Sequence, residues 1–293
     1  MLVLWISAWL QVQNSNGLFH ATSVQVFEFL HFPKCGTQFA RTLIRFGCGN
    51  LSEREYLLVV NQAHDASWDR SRKELATAER TGDCPRLKFR WSHNHANPWA
   101  HFPLPLTVSP DTSVAALFRQ PTRRLKAMLT MIVLKNTSPQ AFGLNISRHN
   151  ILDVLEDERK WRDEVDKLGL TGCMTKMISG AGACGSSVEL GSYHINKATA
   201  RMLDFAFVGI TDEWNTTIFL FHAMFLPNVP VRDDELEVGR AGYLTLSTSH
   251  ITKFSAMIKD AADAILFAAA KRRFDEQTLA FLNTHASISS DAY

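Results

Sequence analysis

Short apolar runs alternate along this chain with stretches whose apolar residues recur at helical spacing. Val24 to Phe32 is apolar, β-branched and aromatic, and stops at Pro33, so it predicts a strand. Lys34-Cys35-Gly36-Thr37 then predicts a tight turn. Apolar residues at 39, 40, 43, 44 and 46 predict a helix from Gln38 to Phe46. Ser71 to Arg80 has helical character, and Leu87 to Trp91 reads as a short strand. The segment His93-Asn94-His95-Ala96-Asn97-Pro98 must leave that strand, because Asn and Pro punctuate it. A third run, Ser113 to Phe118, ends at Arg119-Gln120-Pro121. A helix from Thr122 to about Leu134 follows, with Pro121 suited to its first turn.

In the second half, Ile151 to Leu168 predicts an amphipathic surface helix, and the Gly- and Ser-rich stretch Gly180 to Ser187 a loop. Phe205 to Ile210 predicts another strand. Thr211 is placed to cap a helix from Glu213 to Leu226, with Asp212 and Glu213 suiting its positive end. Pro227 to Gly242 reads as an irregular charged loop. A last helix is predicted from Ile251 to Leu282, with residues 254, 257, 258, 261 and 265 on one face. Strands alternating with helices predict one α/β domain over residues 24–285, a central, mostly parallel sheet flanked by helices. Residues 1–23 form an N-terminal segment and 286–293 a tail. Right-handed crossovers would bring the loops after each strand to one edge, where open sheets bind ligands.

Composition narrows this picture. A length of 293 residues suits one large or two small domains, at roughly 100–200 residues per domain. With 46% apolar and 20% charged residues, disorder, collagen and coiled coil are excluded for the chain as a whole. A net charge of +2 gives no bulk argument for a nucleic-acid partner. The five cysteines, at 35, 48, 84, 173 and 184, are too scattered for a disulfide scaffold and show no zinc spacing. Cys173 could close a short loop with Cys184, and Cys48 could meet Cys84, either bond needing an oxidising compartment. No segment reaches the roughly 18–20 apolar residues that span a bilayer. Met1 to Leu10 is apolar but short: a weak signal core, an anchor remnant, or a buried N-terminal segment. Sequons at Asn50, Asn136, Asn145 and Asn215 lean slightly toward a lumenal protein.

Two stretches carry candidate chemistry. In Phe32-Pro33-Lys34-Cys35-Gly36-Thr37, Gly36 lets the backbone approach an oxyanion, and the helix that follows points its N-terminus at the loop. Lys34 adds a charge and Thr37 a hydroxyl, which together make a phosphate cradle. It is not the GxxxxGK[ST] loop, because the lysine precedes the glycine. Read alone, it is equally an ordinary strand-to-helix turn with a solvated lysine. In the second stretch, Arg119 sits at the carboxyl end of a buried strand, where its planar fork suits a phosphate. Arg124, a turn further on, could reach the same anion, whereas Arg123 reads as an exposed helix charge.

The pair FLHFPKCGTQFARTL and ALFRQPTRRLKAM resembles the two cofactor motifs of sulfotransferases that use 3′-phosphoadenosine 5′-phosphosulfate (PAPS), closest to the Golgi carbohydrate type. The stretches CMTKMISG, FVGITDEWNTTIFLFHAMF and DAILFAAAKRRF are also similar, so the resemblance spans roughly residues 24–275. It implies the P-loop-NTPase-like sulfotransferase fold, PAPS as co-substrate with no metal, and a Golgi or secretory location. It implies a carbohydrate acceptor, no nucleic-acid partner, and a membrane tie only through an N-terminal anchor.

The resemblance also implies residue roles. The loop of Pro33, Lys34, Cys35, Gly36, Thr37 and Gln38 would hold the 5′-phosphosulfate, with Lys34 on the bridging oxygen. Arg119 would hold the 3′-phosphate. Relatives commonly carry a serine eight residues after that arginine; here the position is Ala127, and Thr130, Lys126 or Arg124 would have to substitute. The late loop with Arg232 and Arg240 would close over the nucleotide. His93 is placed like the catalytic histidine of several carbohydrate sulfotransferases, with His95 and His101 as rivals. Glu28 is another candidate base, and the histidines could equally form a polar loop without a role.

Sulfuryl transfer needs a cation at the bridging oxygen and a base near neutral pKa for the acceptor hydroxyl. Lys34 and a histidine fit those needs. The expectation is therefore a PAPS-dependent transferase acting on a hydroxyl by in-line displacement. The alternatives are a kinase-like phosphotransferase or a catalytically silent nucleotide-binding protein of the same fold. Acceptor choice would lie in loops 50–105 and 136–150. His222 reads as a buried, satisfied core histidine.

Overall fold

The described residues form a four-stranded, all-parallel sheet in the order β2-β1-β3-β4. The strands are β1 (Gln25–Leu30), β2 (Leu87–Trp91), β3 (Ser113–Phe118) and β4 (Phe207–Ile210). This computed structural model describes residues 25–33, 35–36, 39, 87–91, 103–105, 113–134, 165, 169–227, 229–238 and 260–290. The chain is thus of the α/β class. After β1 it crosses to β2 on one side; after β3 it passes to β4 on the other. The strand order therefore reverses between β1 and β3, and a crevice at such a reversal is where open parallel sheets bind ligands.

β3 and β4 show why their sequences are apolar without alternation. Val114 to Phe118 and the whole of β4 are buried, as parallel strands covered on both faces must be. Phe39, in the helical segment after the first loop, is fully buried. Its ring stacks on Phe207 of β4 at 5.8 Å and meets Trp214 and Phe221 edge-on. That anchor holds Phe39 against β4 and the helix that follows it; the rest of the predicted helix 38–46 lies outside the described residues.

Six helices are described: α1 (Pro121–Leu134), α2 (Cys173–Ser179), α3 (Ser192–Leu203), α4 (Trp214–Phe225), α5 (Asp233–Val238) and α6 (Ala261–Ser290). The helices α2 and α3 were not predicted. Every residue of α2 is buried, so it shows no amphipathic period. In α3 the spacing Ile195, Ala198, Met202 was a readable but sparse stripe. The predicted loop 227–242 contains α5, held by a buried pair: His222 Nε2 lies 2.9 Å from Glu235 Oε2, and His222 Nδ1 lies 3.0 Å from the Val229 carbonyl. The reading of His222 as a satisfied core residue fits that geometry.

The last helix departs most from expectation. Asp260 stands before it and accepts the Asp263 N–H at 3.2 Å, as an N-cap does. Its buried stripe is Asp263, Leu266, Ala270 and Phe274, while Ala261 and Ile265 face outward, Ile265 at 53% exposure. Asp263 sets that rotation by accepting the Met174 and Thr175 N–H groups and the Thr175 hydroxyl at the start of α2. A periodicity count treats an aspartate as outward-facing and so chose the wrong face. The helix also runs on through 285 to Ser290, so no break marks a separate tail at 286.

Cys173 and Cys184 form a disulfide that closes the predicted Gly-rich loop. Beneath it, the buried Lys176 donates to the carbonyls of Gly169 and Ser186 at 3.0 and 2.7 Å. The predicted helices 71–80 and 151–168 lie outside the described residues, apart from the buried Val165, as do the pair Cys48 and Cys84 and the segment Met1 to Leu10. Among the described residues no helix is long and apolar enough to cross a membrane.

Candidate functional site at the carboxyl edge of the sheet

The loops after β1, β3 and β4 converge at Gly36. The first loop leaves β1 through the buried residues His31, Phe32 and Pro33 and turns back, the Cys35 N–H donating to the Phe32 carbonyl at 3.1 Å. Gly36 then takes φ 86°, and the Phe39 N–H donates to its carbonyl at 2.8 Å. A Cβ on Gly36 would stand 2.6 Å from Leu117 Cδ2 of β3 and 3.4 Å from Thr211 Cγ2 after β4. The dihedral calls for glycine, and a Cβ would also have to push Leu117 aside. Phe32 and Phe118 pack ring against ring at 5.3 Å, locking the loop to the end of β3.

Arg119 follows β3 directly and is half-buried. Its backbone N–H favours the Cys35 thiolate, which places Arg119 beside the first loop. The thiol is nevertheless pushed up to about 12, mainly by complete burial, with Arg124 and Arg119 opposing that shift only in part. Cys35 Sγ packs 4.0 Å from Met174 Sδ. It is a packing residue, protonated at neutral pH, and the oxidation that a small exposed thiol would invite is blocked by burial.

The loop after β4 contributes Asp212. Its carboxylate accepts the Gln120 N–H at 3.3 Å and pairs with Arg123 at 2.5 Å, tying the β3 and β4 loops together. Arg123 is 59% exposed and belongs to that surface pair. Asp212 therefore serves the start of α1, not α4. Thr211 does not cap α4 either: Thr211–Glu213 is a 3-10 turn, and no side chain caps it or α4. Instead the Thr217 hydroxyl accepts the Ile210 N–H and donates to the Ile210 carbonyl.

Arg124 corrects the reading that made it a cofactor ligand. It is fully buried; its guanidinium donates to the Leu170 carbonyl at 2.7 Å and lies 3.5 and 3.6 Å from Asp260 and Asp263. Another of its nitrogens lies 3.9 Å from the Cys184 sulfur. Four residues past Gln120, α1 has turned that position into the core, so Arg124 neutralises two buried carboxylates and is unavailable to an anion outside.

Of the other predicted site residues, Pro33, Cys35, Gly36 and Arg119 are brought together. Ala127 is half-buried, and it supplies no hydroxyl. Lys34, Thr37, Gln38, His93, His95, His101 and Arg240 lie outside the described residues. So do the side chains of Glu28, Lys126 and Thr130. β2 is parallel to β1, with Trp91 opposite Phe29, so the chain leaves β2 toward the same edge. Arg232 is exposed beside α5, its N–H bound to Glu235. Thr211 and Asp212 were missed as site residues; their signal was their place directly after a buried strand, and the capping pattern masked it.

The arrangement brings the backbone of the first loop and Arg119 together at the β1/β3 reversal. Among the described residues no group of three His, Cys, Asp or Glu side chains could hold a metal ion. Comparison with protein-family models, with curated proteins and with solved structures gives no match to this chain.

Proposed function

We propose that this protein is a PAPS-dependent sulfotransferase of the P-loop-like α/β architecture, acting on a carbohydrate hydroxyl. One observation carries the reading. The loop after β1 packs through Gly36, at a positive φ, onto the ends of β3 and β4, beside Arg119, at the reversal of strand order. Arg119 there, with the lysine that the sequence carries at position 34, would suit a nucleotide phosphorylated at both its 3′ and 5′ positions.

In this mechanism Lys34 neutralises charge on the bridging oxygen and Arg119 holds the 3′-phosphate. The acceptor oxygen attacks sulfur in line, the bond from sulfur to the bridging oxygen breaks, and adenosine 3′,5′-bisphosphate (PAP) leaves. The acceptor proton passes to His93 or His95. Positioning and charge stabilisation do most of the work, as in phosphoryl transfer.

Thermal-shift titration with PAP against ATP tests this. A shift specific to PAP, lost in Lys34→Ala and Arg119→Ala, is expected; an equal or larger shift with magnesium-ATP overturns it. A second reading, a nucleotide-binding protein without turnover, is favoured by Ala127 and by the inward commitment of Arg124, which together thin the 3′-phosphate contacts. PAP binding without sulfation of any glycan acceptor would select it.

A further inference from the structure

The contact between His222 and Glu235 fixes a proton count. Both side chains are fully enclosed. His222 Nδ1 lies 3.0 Å from the Val229 carbonyl, which can only accept, so Nδ1 carries a hydrogen. Nε2 lies 2.9 Å from Glu235 Oε2, and an imidazole already protonated at Nδ1 has, when neutral, only a lone pair to offer there. The contact therefore contains a second proton, on the ring or on the carboxyl, and in either form the pair is electrically neutral. Glu235 Oε1 is engaged separately, by the Arg232 N–H at 3.0 Å. Without the shared proton, two acceptors would face each other and a net negative charge would be shut away from water.

The pair joins two parts of the chain. His222 stands in the last turn of α4, and Glu235 in α5. The Trp214 indole, at the start of α4, donates to the Glu235 carbonyl at 2.9 Å, so Glu235 is held from both ends of α4. The charged groups around α4 are engaged elsewhere. β4 carries no titratable side chain. On α6, Asp263 binds the start of α2, Lys271 pairs with Glu213 and Asp275, Arg273 pairs with Glu276, and Arg272 is exposed. Arg232 and Asp233 are exposed as well. We propose that segment 229–238 is a proton-locked strap, which stays on α4 while the His222–Glu235 contact holds its proton and lifts away when that proton is lost. This goes beyond the sulfotransferase reading and does not depend on it. In the lifted state both side chains reach water, where histidine titrates at about 6.5 and glutamate at about 4.3. Between those values the lifted state holds the same number of protons, and closure is independent of pH. Above about 6.5 closing takes up one proton, so the ratio of closed to lifted strap falls about tenfold per pH unit.

Hydrogen exchange followed by NMR on wild type and Glu235→Gln tests this. In the wild type the protection of the residue-235 amide and the Trp214 indole, corrected for the intrinsic exchange rate, should fall about tenfold per pH unit above about 6.5. It should also stay below the protection of the β3 amides, as local opening requires. In Glu235→Gln the new amide can donate to the Nε2 lone pair while its oxygen keeps the Arg232 N–H, so protection at residue 235 should no longer depend on pH. Nitrogen-15 shifts of the wild-type ring at neutral pH should place a proton on or shared with each ring nitrogen of His222. Wild-type protection that ignores pH in this range, protection equal to that of β3, or the same fall in Glu235→Gln overturns the proposal. So does a bare Nε2 beside an ionised Glu235 carboxylate. The wild-type readouts decide the matter even where Glu235→Gln does not fold.

Discussion

Arg119 and Arg124 stand five residues apart in one motif and end in opposite environments. Arg119 is half-buried where β3 meets the first loop; Arg124 is enclosed by two aspartates and a backbone carbonyl. The same side chain is a ligand candidate in one place and a structural counter-ion in the other. What separates them is a single helical turn. The strand end delivers Arg119 to the edge, and α1 then rotates position 124 under the disulfide-closed loop. A motif names the residue types but not their directions.

Breaking the buried side should have the largest effect. Arg124→Met leaves Asp260 and Asp263 together without their cation, at a cost of roughly 3–5 kcal/mol, read as a lower urea midpoint. A midpoint near wild type would mean that the carboxylates find another partner. At the edge, Gly36→Ala forces a side chain onto φ 86° and against Leu117, costing on the order of 1–3 kcal/mol, and should also weaken PAP binding. Arg119→Ala should differ from Arg124→Met in its ligand readout: PAP affinity falls roughly tenfold or more. An Arg119→Ala protein that unfolds easily yet binds PAP normally would erase the contrast.

The buried side also carries a pH signature. Burial, then the neighbouring Asp263 charge, raise Asp260 to about 6, against an ordinary value of 3.8, with Arg124 pulling the other way. The folded protein therefore holds this proton more tightly than the unfolded chain. The stability it contributes is present at acidic pH and is lost as pH rises from about 4 to about 6. Urea titrations should show that decline, and Asp260→Asn should flatten it. The smallest effect is expected at Asp212→Asn. Its pair with Arg123 is largely exposed, so about 0–1 kcal/mol is at stake. The more sensitive reading there is faster amide exchange at Gln120.

Much of the frame was legible. β2 and β3 fall on their predicted residues: β3 is a short apolar run, and β2 alternates apolar with basic residues, both strand patterns. α1 begins at the proline that predicts its start. The glycine of the first loop was read as letting the backbone approach an oxyanion; the structure gives it a positive φ and sets its Cβ position against Leu117 and Thr211. The departures share a cause. Asp263, Arg124 and Lys176 are charged yet buried, so any reading that sends charge to the surface misplaces them and the helices they orient. Thr211 and Asp212 fit a local capping pattern, but their neighbours in space come from residues 36 and 120.

The sequence alone therefore determined the strands, their parallel class and the loop that needs glycine, because hydrophobic runs and φ preferences act over a few residues. Only the tertiary structure decided which arginine faces the edge, which face of α6 is buried and that Cys173 joins Cys184. Those outcomes depend on pairings across long stretches of chain, where a buried charge is tolerable only once its counter-charge has been brought beside it.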